Sequence, residues 1–560
     1  MNADKACRCP SVGECPLPRH RRIPVLTAAL GVLTSLALSA APATAENDPA
    51  RMPLGPSSLQ VRVGAVQTLA PGVTYQKFTQ GEPSDVWSVW LKNPVNSGWL
   101  VGNRLYADQL AAELVQKGFP ARVDTFDAPA TSDTPAGTVG YTVRVSQFDT
   151  SRRTEAQELL DRLTQAGYSG RVTYTAEDGE PSSGPWEVRV VKIAPDAAVK
   201  VQAVNGRELR SAQTVREMAK LNNALVALNG AEYDISTGPD FSGFDGDPEG
   251  LYMKDNAILS EANNGRTALL LEGSGARARI AEVTSKIQVT APNGDLRSID
   301  GINRVPGRNF GCGGVGGDIR KDDQAPTLAP WRNTLCVDNN EVVVFRPEWG
   351  NATPGPGNGV TDSTEVVMNG NWVVQEIRSA VGGTIPPGGR VMQGIGDGAA
   401  WLRKHAVVGA AFKPGASVVD STGRSVTSPT LSAVAGGGPA LLRDGHALIN
   451  TAANGMTNFQ GRPNLSVVQR HPRTLAGVTS AGELLLVTVD GRQAGVSVGA
   501  TWHEAAGIMQ WLGAEDAVGL GSGGDSTLII NNTLYNRPTD TWGATHTERE
   551  VGSAVAVVAQ

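Results

Sequence analysis

The sequence predicts an α+β protein in which a small βαββαβ module precedes a large, mixed, strand-rich domain. Three observations support this prediction. A segment near the N-terminus repeats its key residues at a fixed interval. Short apolar runs alternate with glycine and proline turns over the rest of the chain, and glycine accounts for 66 of the 560 residues without a collagen-like period. A chain of this length has room for more than one domain and for a sizeable core.

Residues 1–45 have the pattern of a secretion signal. Arg21 and Arg22 precede an apolar run over residues 23–41, and Ala43-Thr44-Ala45 has the small residues of a cleavage site. A membrane anchor is the alternative, but the run is short and contains threonine and serine. We therefore predict a secreted, extracellular protein with no integral membrane segment in the mature chain.

Cleavage after residue 45 changes both the charge and the cysteine count. It removes five basic and two acidic side chains, which moves the formal net charge from −6 to −9. An acidic secreted protein is a poor candidate for a nucleic-acid partner. Of the five cysteines only Cys312 and Cys336 remain, and no histidine lies nearby to complete a metal site. An even number of cysteines in an oxidising compartment predicts a disulfide between them.

Residues 46–85 are polar and contain proline, so we predict a linker with a first strand near 61–66. Two strand–helix–strand units follow, with strands at 86–91, 121–126, 141–148 and 170–175 and helices at 106–117 and 153–165. The repeated residues lie 49 positions apart: Ala107, Leu110, Leu114 and Gly118, then Ala156, Leu159, Leu163 and Gly167. Two such units form a four-stranded, ferredoxin-like sheet with both helices on one face, which leaves the other face free as a binding platform.

The second half of the module contains Tyr141-Thr142-Val143-Arg144-Val145-Ser146-Gln147-Phe148, then Glu155-Ala156 and the second helix. With these residues the module, at residues 86–176, resembles a SPOR domain. The resemblance implies binding to peptidoglycan glycan strands that have lost their peptides, and therefore a secreted protein associated with a bacterial cell wall. The alternative is a ferredoxin-like spacer that binds nothing.

The large domain is predicted at residues 186–560. It begins with a strand at 186–193, continues with a helix at 207–221 and reaches a buried strand at 224–229. An acidic loop follows, and its spacing Asp245-x-Asp247-x-Glu249 is similar to the start of a calcium loop, although the twelfth position is Asn256. A solvated acidic turn is the simpler interpretation. We therefore predict no cofactor and leave a divalent cation as the alternative.

The stretch 469–525 places charged side chains around a buried strand and a glycine loop. The strand is predicted at 483–489 and the loop at 519–527. Arginines, an imidazole and carboxylates together suit an anionic, oxygen-rich substrate such as a sugar phosphate, because the arginine fork matches phosphate oxygens. The charged side chains are His471, Arg473, Asp490, Arg492 and Asp525.

A series of short motifs runs through residues 186–560, at 226–230, 250–251, 436–441, 471–474, 490–492, 513–517, 519–527 and 536–538. With these motifs in this order, residues 186–560 resemble the phosphodiester glycosidase family. The resemblance implies a large mixed α+β fold and hydrolysis of a sugar-1-phosphodiester or a related cell-envelope glycan. The chain departs from the family at Gly519 and Gly521, where the family has Asn and Asp, and Asp525 appears four positions later.

The resemblance and the chemistry together indicate the site residues. Cleavage of a sugar phosphodiester releases a phosphate monoester anion, so the site must hold phosphate and stabilise a positively charged sugar carbon. Arg473 and Arg492 are the candidates for holding the phosphate. The predicted catalytic residues are Asp490, Arg473, Asp525 and His471, and the predicted substrate-binding residues are Arg492, Thr474, Asn229, Gly437, Gly438, Glu249 and Arg537.

Alternatives exist at the level of the residues and of the whole protein. Asp490-Gly491-Arg492 is equally consistent with an ordinary turn, and His471 could pack or cap. A non-catalytic wall-binding protein with a degenerate glycosidase-like domain is the main alternative function, and Gly519 and Gly521 favour it. A serine hydrolase is the weakest, since no Gly-x-Ser-x-Gly elbow occurs.

Overall fold

The structure is a computed structural model that describes residues 50–92, 102–235, 246–272, 277–357, 359–427, 432–458 and 461–560. The predicted secretion signal and Asp245 of the acidic loop lie outside the described residues. Strands make up 40% of the described residues and helices 13%, which agrees with the predicted α+β class. No helix in the described ranges is long and apolar enough to cross a membrane.

A nine-stranded antiparallel sheet, here called the central sheet, organises the large domain. Leu484–Val489 lies near its middle and is buried at every residue, as its continuous apolar run predicts. The order across the sheet is Val61–Val63, Val73–Gln80, Trp186–Ile193, Leu484–Val489, Arg473–Thr479, Ala514–Gly519, Ala440–Arg443 and His446–Ala447, with Gln67–Ala70 paired to Val73–Gln80.

The region predicted as a linker contributes three strands to the central sheet. Val73–Gln80 pairs with Trp186–Ile193 along its whole length. Its side chains mostly alternate between buried and part-exposed positions, the pattern of a strand with one face in the core. The structure therefore replaces the predicted linker at these residues with a strand whose partner lies far along the chain.

The N-terminal module is inserted between these two neighbouring strands. Its six elements lie close to their predicted positions, and its two helices pack against one cluster that includes Val89, Leu114, Val143 and Leu159. The order across its antiparallel sheet is Ala121–Ala128, Gly137–Phe148, Trp87–Leu91 and Gly170–Tyr174, and the helices are Arg104–Gln116 and Arg153–Gln165.

The other face of this sheet is covered, so the predicted free platform is wrong. Trp90 and Arg144 on that face have no exposed surface. Val468 of the large domain packs in one cluster with Trp90 and Phe126. The Cζ atom of Arg144 lies 4.5 Å from the centroid of the Trp90 ring, and Arg144 pairs with Asp178. Buried rings and paired charges leave no space for a glycan strand on this face.

Five further sheets complete the large domain. The terminal sheet has the order Thr533–Leu534, Leu528–Ile530, Val226–Asn229, Ser553–Ala559 and Val199–Asn205. The seven-stranded sheet has the order Ala257–Ser260, Tyr252–Lys254, Ser432–Ala435, Arg266–Leu271, Ala278–Thr290 and Leu296–Ser298, with Lys413–Asp420 paired to Ala278–Thr290.

The outer sheet has the order Gly301–Ile302, Val342–Phe345, Arg390–Ile395, Ser363–Met368 and Val374–Arg378. Two small sheets join Gln213–Thr214 to Glu550–Val551, and Asn309–Phe310 and Ile319–Arg320 to Leu335–Val337.

The main core lies where the central, terminal and seven-stranded sheets meet. Leu486, Leu228 and Leu269, one from each sheet, belong to the same buried cluster. The opposite face of the central sheet is covered by the helix Trp502–Trp511. Burial of apolar side chains at about 25 cal/mol per Å² is the main stabilising contribution in such layers.

The helices of the large domain are short, and one is shorter than predicted. The helix expected at 207–221 begins at Val215, because Thr214 and Glu217 form a capping box that fixes its start. Upstream, the amide of Leu209 instead donates to the carbonyl oxygen of Glu348 at 2.9 Å. The α-helices described in this domain are Val215–Leu221, Asp397–His405, Leu465–Val468 and Trp502–Trp511.

Cys312 and Cys336 form the predicted disulfide. Both cysteines are fully buried, and the bond closes a loop that ends at the strand Leu335–Val337. A crosslink over a loop of this length contributes about 3 kcal/mol to stability. The loop carries Arg332, so the disulfide also restrains a residue of the site described below.

The thermal stability of the protein is expected to decrease as the pH rises from 5 to 8. Burial raises the pKa of Asp178, Asp300, Asp318 and Asp525 to about 7. From roughly pH 4 to 7 the folded state therefore keeps protons that the unfolded chain has released, and stability falls as pH rises. Thermal unfolding should give a Tm at least about 3 °C lower at pH 8 than at pH 5.

Two variants test the cause of this pH dependence. Asp178→Asn removes one buried ionisation, so the decrease in Tm between pH 5 and pH 8 should be smaller than in the wild type. Asp161→Asn changes an exposed residue of the helix Arg153–Gln165 and should leave the decrease unchanged. A Tm that rises from pH 5 to pH 8 in the wild type would contradict the prediction.

Candidate active site

Asn229 joins three chain segments at the ends of strands from the central and terminal sheets. Its Nδ2 donates to the carbonyl oxygen of Gly521 at 2.8 Å. Its Oδ1 accepts hydrogen bonds from Thr474 Oγ1 at 2.7 Å and from the Thr527 amide at 3.1 Å. Asn229 and Thr474 are both buried, so these two predicted substrate-binding residues build the frame of the site.

The predicted phosphate-binding glycines pack against the glycine loop. A Cβ atom on Gly437 would lie 2.7 Å from Gly521 Cα, and one on Gly438 would overlap the Trp502 ring. The amide of Gly438 donates to the carbonyl oxygen of Gly519 at 3.1 Å. Gly437 and Gly438 therefore allow two backbones to approach each other closely.

Asp490 lies fully buried in an ion pair. Its Oδ2 accepts a hydrogen bond from Arg189 Nη1 at 2.6 Å. Its Oδ1 accepts from Asn536 Nδ2 at 3.2 Å and from the Arg537 amide at 3.1 Å. Protein donors contact both oxygens and the carboxylate is not exposed, an arrangement that favours a structural role over the predicted catalytic one.

Arg473 is also buried and holds neighbouring loops. Its Nε donates to the Ala500 carbonyl oxygen at 2.8 Å, and its Nη2 donates to those of Ser466 and Gln469 at 3.1 and 3.0 Å. Its Cζ lies 3.7 Å from the centroid of the Trp502 ring. These contacts indicate a structural role, while Nη1 alone has no hydrogen-bond partner in the described parts of the chain.

His471 and Arg492 lie side by side, as two residues of one site should. Arg492 Nη2 is 3.1 Å from His471 Nδ1, and Arg492 Nη1 donates to the carbonyl oxygen of Asp540. Burial and the Arg492 guanidinium lower the pKa of His471 well below its usual value, so the imidazole is neutral at pH 7. With Nδ1 accepting from Arg492, the ring hydrogen lies on Nε2, which is free to donate to a ligand.

Asp525 is the predicted carboxylate whose surroundings suit catalysis. It is 3% exposed, and its Oδ1 accepts a hydrogen bond from Arg549 Nη1 at 2.8 Å. Arg549 also pairs with Asp540. Burial and the nearby Glu232 carboxylate raise the pKa of Asp525 to about 7. A carboxyl group with this pKa can exchange a proton at neutral pH.

Glu232 and Arg332 complete the cluster, and neither was predicted. Arg332 Nη2 pairs with Glu232 Oε1 and lies 3.4 Å from Ser522 Oγ. The charges of both residues act on the pKa of Asp525, so the three groups share one electrostatic environment. The position of Glu232, two residues after Gly230 of the Asn229-Gly230 motif, was the sequence signal that could have identified it.

Glu249 belongs to the edge of this cluster. It is buried, and its Oε1 accepts from Arg266 Nη1 at 2.5 Å, while its Oε2 has no hydrogen-bond partner in the described residues. Burial raises the pKa of Glu249. Within the described ranges, no group of three or more His, Cys, Asp or Glu residues could hold a metal ion.

Arg537 differs from the other predicted arginines because its side chain is exposed. Its guanidinium makes no hydrogen bond or ion pair with the described residues, although its backbone amide binds Asp490. An exposed guanidinium that has no partner among the described residues can bind an anion.

The structure thus brings together some predicted residues and sets others apart. Two carboxylates, Glu232 and Asp525, share an environment with several guanidinium groups and one neutral imidazole. Such a set can hold a phosphate and exchange a proton beside it. The guanidinium groups and the imidazole belong to Arg332, Arg492, Arg549 and His471.

A family model of phosphodiester glycosidases matches residues 362–558. The matched segment contains His471, Arg492 and Asp525, whereas Glu232 and Arg332 precede it. No curated protein sequence is significantly similar to the chain.

Several solved structures are similar to this chain. A protein from Burkholderia pseudomallei K96243, named as an exported protein, is 28% identical with a TM-score of 0.79, covering 91% of this chain and 98% of the other. A hypothetical protein from Synechocystis is 15% identical with a TM-score of 0.49, covering 90% and 76%. The catalytic domain of zebrafish N-acetylglucosamine-1-phosphodiester alpha-N-acetylglucosaminidase, auto-inhibited by its pro-peptide, is 12% identical with a TM-score of 0.30, covering 85% and 89%. A likeness over 91% of the chain includes the inserted module as well as the large domain.

Proposed function

We propose that the protein is a hydrolase of the phosphodiester glycosidase type, which cleaves a sugar-1-phosphodiester or a related glycan linkage of the bacterial cell envelope. The observation that carries the proposal is Asp525, a buried carboxyl group whose pKa is raised to about 7 beside Glu232. It lies inside the segment that matches the glycosidase family model.

In the proposed reaction, water attacks the anomeric carbon and the bond from that carbon to the phosphodiester oxygen breaks. The phosphate monoester leaves as a stable anion and needs little protonation, so the remaining demands are to activate water and to stabilise the sugar carbon. Asp525 in its ionised form accepts the proton of the attacking water. Glu232 supplies the second carboxylate, which stabilises positive charge as it develops on the sugar.

The arginines are proposed to hold the phosphate. Arg332 pairs with Glu232, Arg549 pairs with Asp525, and Arg492 lies beside His471. Their guanidinium forks match phosphate oxygens. The Nε2–H group of His471 adds a neutral donor. Arg537 is exposed and has no side-chain partner among the described residues, and we propose that it binds the part of the substrate beyond the phosphate.

We propose that the enzyme acts outside the cytoplasm. The signal-like pattern of residues 1–45 supports this location, and the similar protein from Burkholderia pseudomallei is named as exported. Peptidoglycan strands are the first envelope glycan to examine as partner or substrate. The buried sheet face of the inserted module is excluded as their binding surface.

The experiment uses the mature chain and a panel of synthetic sugar-1-phosphodiesters that differ in the sugar. Mass spectrometry should detect a free sugar and a phosphate monoester for at least one substrate, and Arg332→Gln should reduce this release by about 100-fold, the loss expected when one transition-state donor is removed. If no substrate is cleaved, the hydrolase proposal fails. A non-catalytic glycan-binding protein is then the remaining candidate, and it predicts retention of the intact chain on peptide-free peptidoglycan.

A further inference from the structure

A cavity lies between the seven-stranded sheet and the outer sheet, on elements that contribute no residue to the candidate active site. Its volume is about 290 Å³, close to the lower limit for small-molecule sites. The floor consists of apolar side chains, and the rim carries two arginines and one tryptophan. The floor side chains are Ile258, Ile287, Ile302 and Val344, and the rim side chains are Arg346, Trp372 and Arg390.

Arg390 lies at the rim and forms no ion pair with the described residues, although the charge of the Glu348 carboxylate acts on its pKa. Its Cζ lies 4.4 Å from the centroid of the Trp372 ring, and its guanidinium makes no hydrogen bond or ion pair with the described residues. Partial burial and the neighbouring Arg346 guanidinium lower the pKa of Arg390. A guanidinium group held on an aromatic ring, part-buried and next to a second positive charge, gains from binding an anion.

Arg346 supports the same interpretation. It is only loosely paired, with Nε and Nη2 at 3.3 and 3.2 Å from the Glu348 carboxylate oxygens. Both residues of this pair are about one-third exposed. Arg346 can therefore turn part of its fork toward an anion at the rim while it keeps one contact with Glu348.

We propose that this cavity binds a small amphiphilic anion, with its carboxylate or phosphate group between Arg346 and Arg390 and its apolar part on the isoleucine floor. The ring of Trp372 forms one side of the entrance, so it contacts the carbon atoms next to the anionic group. The site is independent of the proposed hydrolase activity, and a ligand there needs no sugar.

Binding is tested on the mature chain by titration calorimetry with hexyl phosphate and hexanoate. Hexan-1-ol carries the apolar part alone, and inorganic phosphate carries the charge alone. We expect at least one of the two amphiphilic anions to bind roughly tenfold more tightly than either partial probe. Hexan-1-ol cannot form the charge-assisted hydrogen bonds, and inorganic phosphate makes no apolar contact. The stronger of the two anions identifies the head group.

Variants decide whether the binding belongs to this cavity. Arg390→Gln and Trp372→Leu should each weaken the binding at least about tenfold. The first variant removes the guanidinium charge, and the second removes the aromatic ring against which the guanidinium packs. Arg403→Gln is the matched control, an exposed arginine of the helix Asp397–His405 that pairs with Asp362. Neither cavity variant should change hydrolysis of a sugar phosphodiester. Saturable binding that survives both cavity variants, or no saturable binding at all, would overturn the proposal.

Discussion

Asp525→Asn is expected to lower kcat/KM for a sugar-1-phosphodiester by about 1000-fold, within the range for loss of a general acid–base catalyst. The amide keeps the shape of the carboxyl group, and its oxygen can still accept the hydrogen bond that Arg549 donates at 2.8 Å. It cannot take a proton from the attacking water. Steady-state kinetics on the best substrate of the panel should therefore show a lower kcat with little change in KM.

The pH dependence and a matched variant separate this effect from a general loss of structure. Because Asp525 must be ionised to act as the base, wild-type kcat/KM should rise as pH increases through about 7 and then level off. Asp516→Asn lies near the start of the strand Ala514–Gly519 and pairs with Arg443, so it should keep the wild-type rate. An Asp525→Asn variant with more than about a tenth of wild-type activity would rule out the assignment.

Local sequence signals predicted the parts of the fold that local interactions determine. The apolar run at 483–489 predicted a doubly buried strand, and Leu484–Val489 is one. The 49-residue repeat predicted six elements that all occur near their expected positions. The disulfide followed from the isolation of Cys312 and Cys336 and is present. In each case the residues that form the pattern and the structural feature that it predicts lie in the same part of the chain.

Features that depend on distant pairing were missed. Val73–Gln80 has only a moderate alternation of apolar residues, and its partner Trp186–Ile193 follows the whole inserted module. The same insertion explains the buried sheet face of the module. Trp90 could be recognised as a strand residue, but the segment containing Val468 that covers it is more than half the chain away. Sequence periodicity indicates that a face is apolar and does not identify what packs on it.

The residues of the candidate site also divide into those that local motifs predicted and those that depend on contacts between distant parts of the chain. His471, Arg492 and Asp525 lie in short motifs, and the structure brings them to one place. Glu232 and Arg332 lie in irregular loops that no periodicity marks, and their pairing depends on a loop held by the disulfide. Loops on a rigid scaffold carry many functional residues, and a sequence gives little information about where such loops lie in space.

The glycines at 519 and 521 also have a packing explanation. A Cβ atom on Gly519 would overlap the Trp502 ring, and one on Gly521 would lie 2.9 Å from Asn229 Nδ2. Restoring the Asn and Asp of the family pattern at these positions would therefore disturb the frame of the site. The Trp502 ring fills the space at Gly519, and the Asn229 side chain closely approaches Gly521, so the two glycines are weak evidence for a degenerate enzyme.

Asp490→Asn is expected to destabilise the protein by roughly 3–5 kcal/mol, the usual effect of breaking a buried ion pair by removing one partner. Arg189 would lose the 2.6 Å hydrogen bond to Asp490 Oδ2 and keep only Glu187 as a charged partner. The Asn536 side chain could still bind the amide oxygen. Urea unfolding should show a lower midpoint for the variant, whereas kcat/KM measured on folded protein should stay close to the wild-type value.

Two further variants show whether charge burial causes the destabilisation. Asp108→Asn removes an exposed partner of Arg104 on a helix and should change stability by less than about 0.5 kcal/mol. Adding Arg189→Met to Asp490→Asn removes the buried guanidinium charge that has lost one of its two carboxylate partners, so the double variant should recover part of the stability that the single variant loses. If Asp490→Asn instead unfolds like the wild type and loses about 100-fold in kcat, Asp490 acts on the substrate and Asp525 is not the main carboxylate. The buried geometry of Asp490, with protein donors on both oxygens, favours the structural outcome.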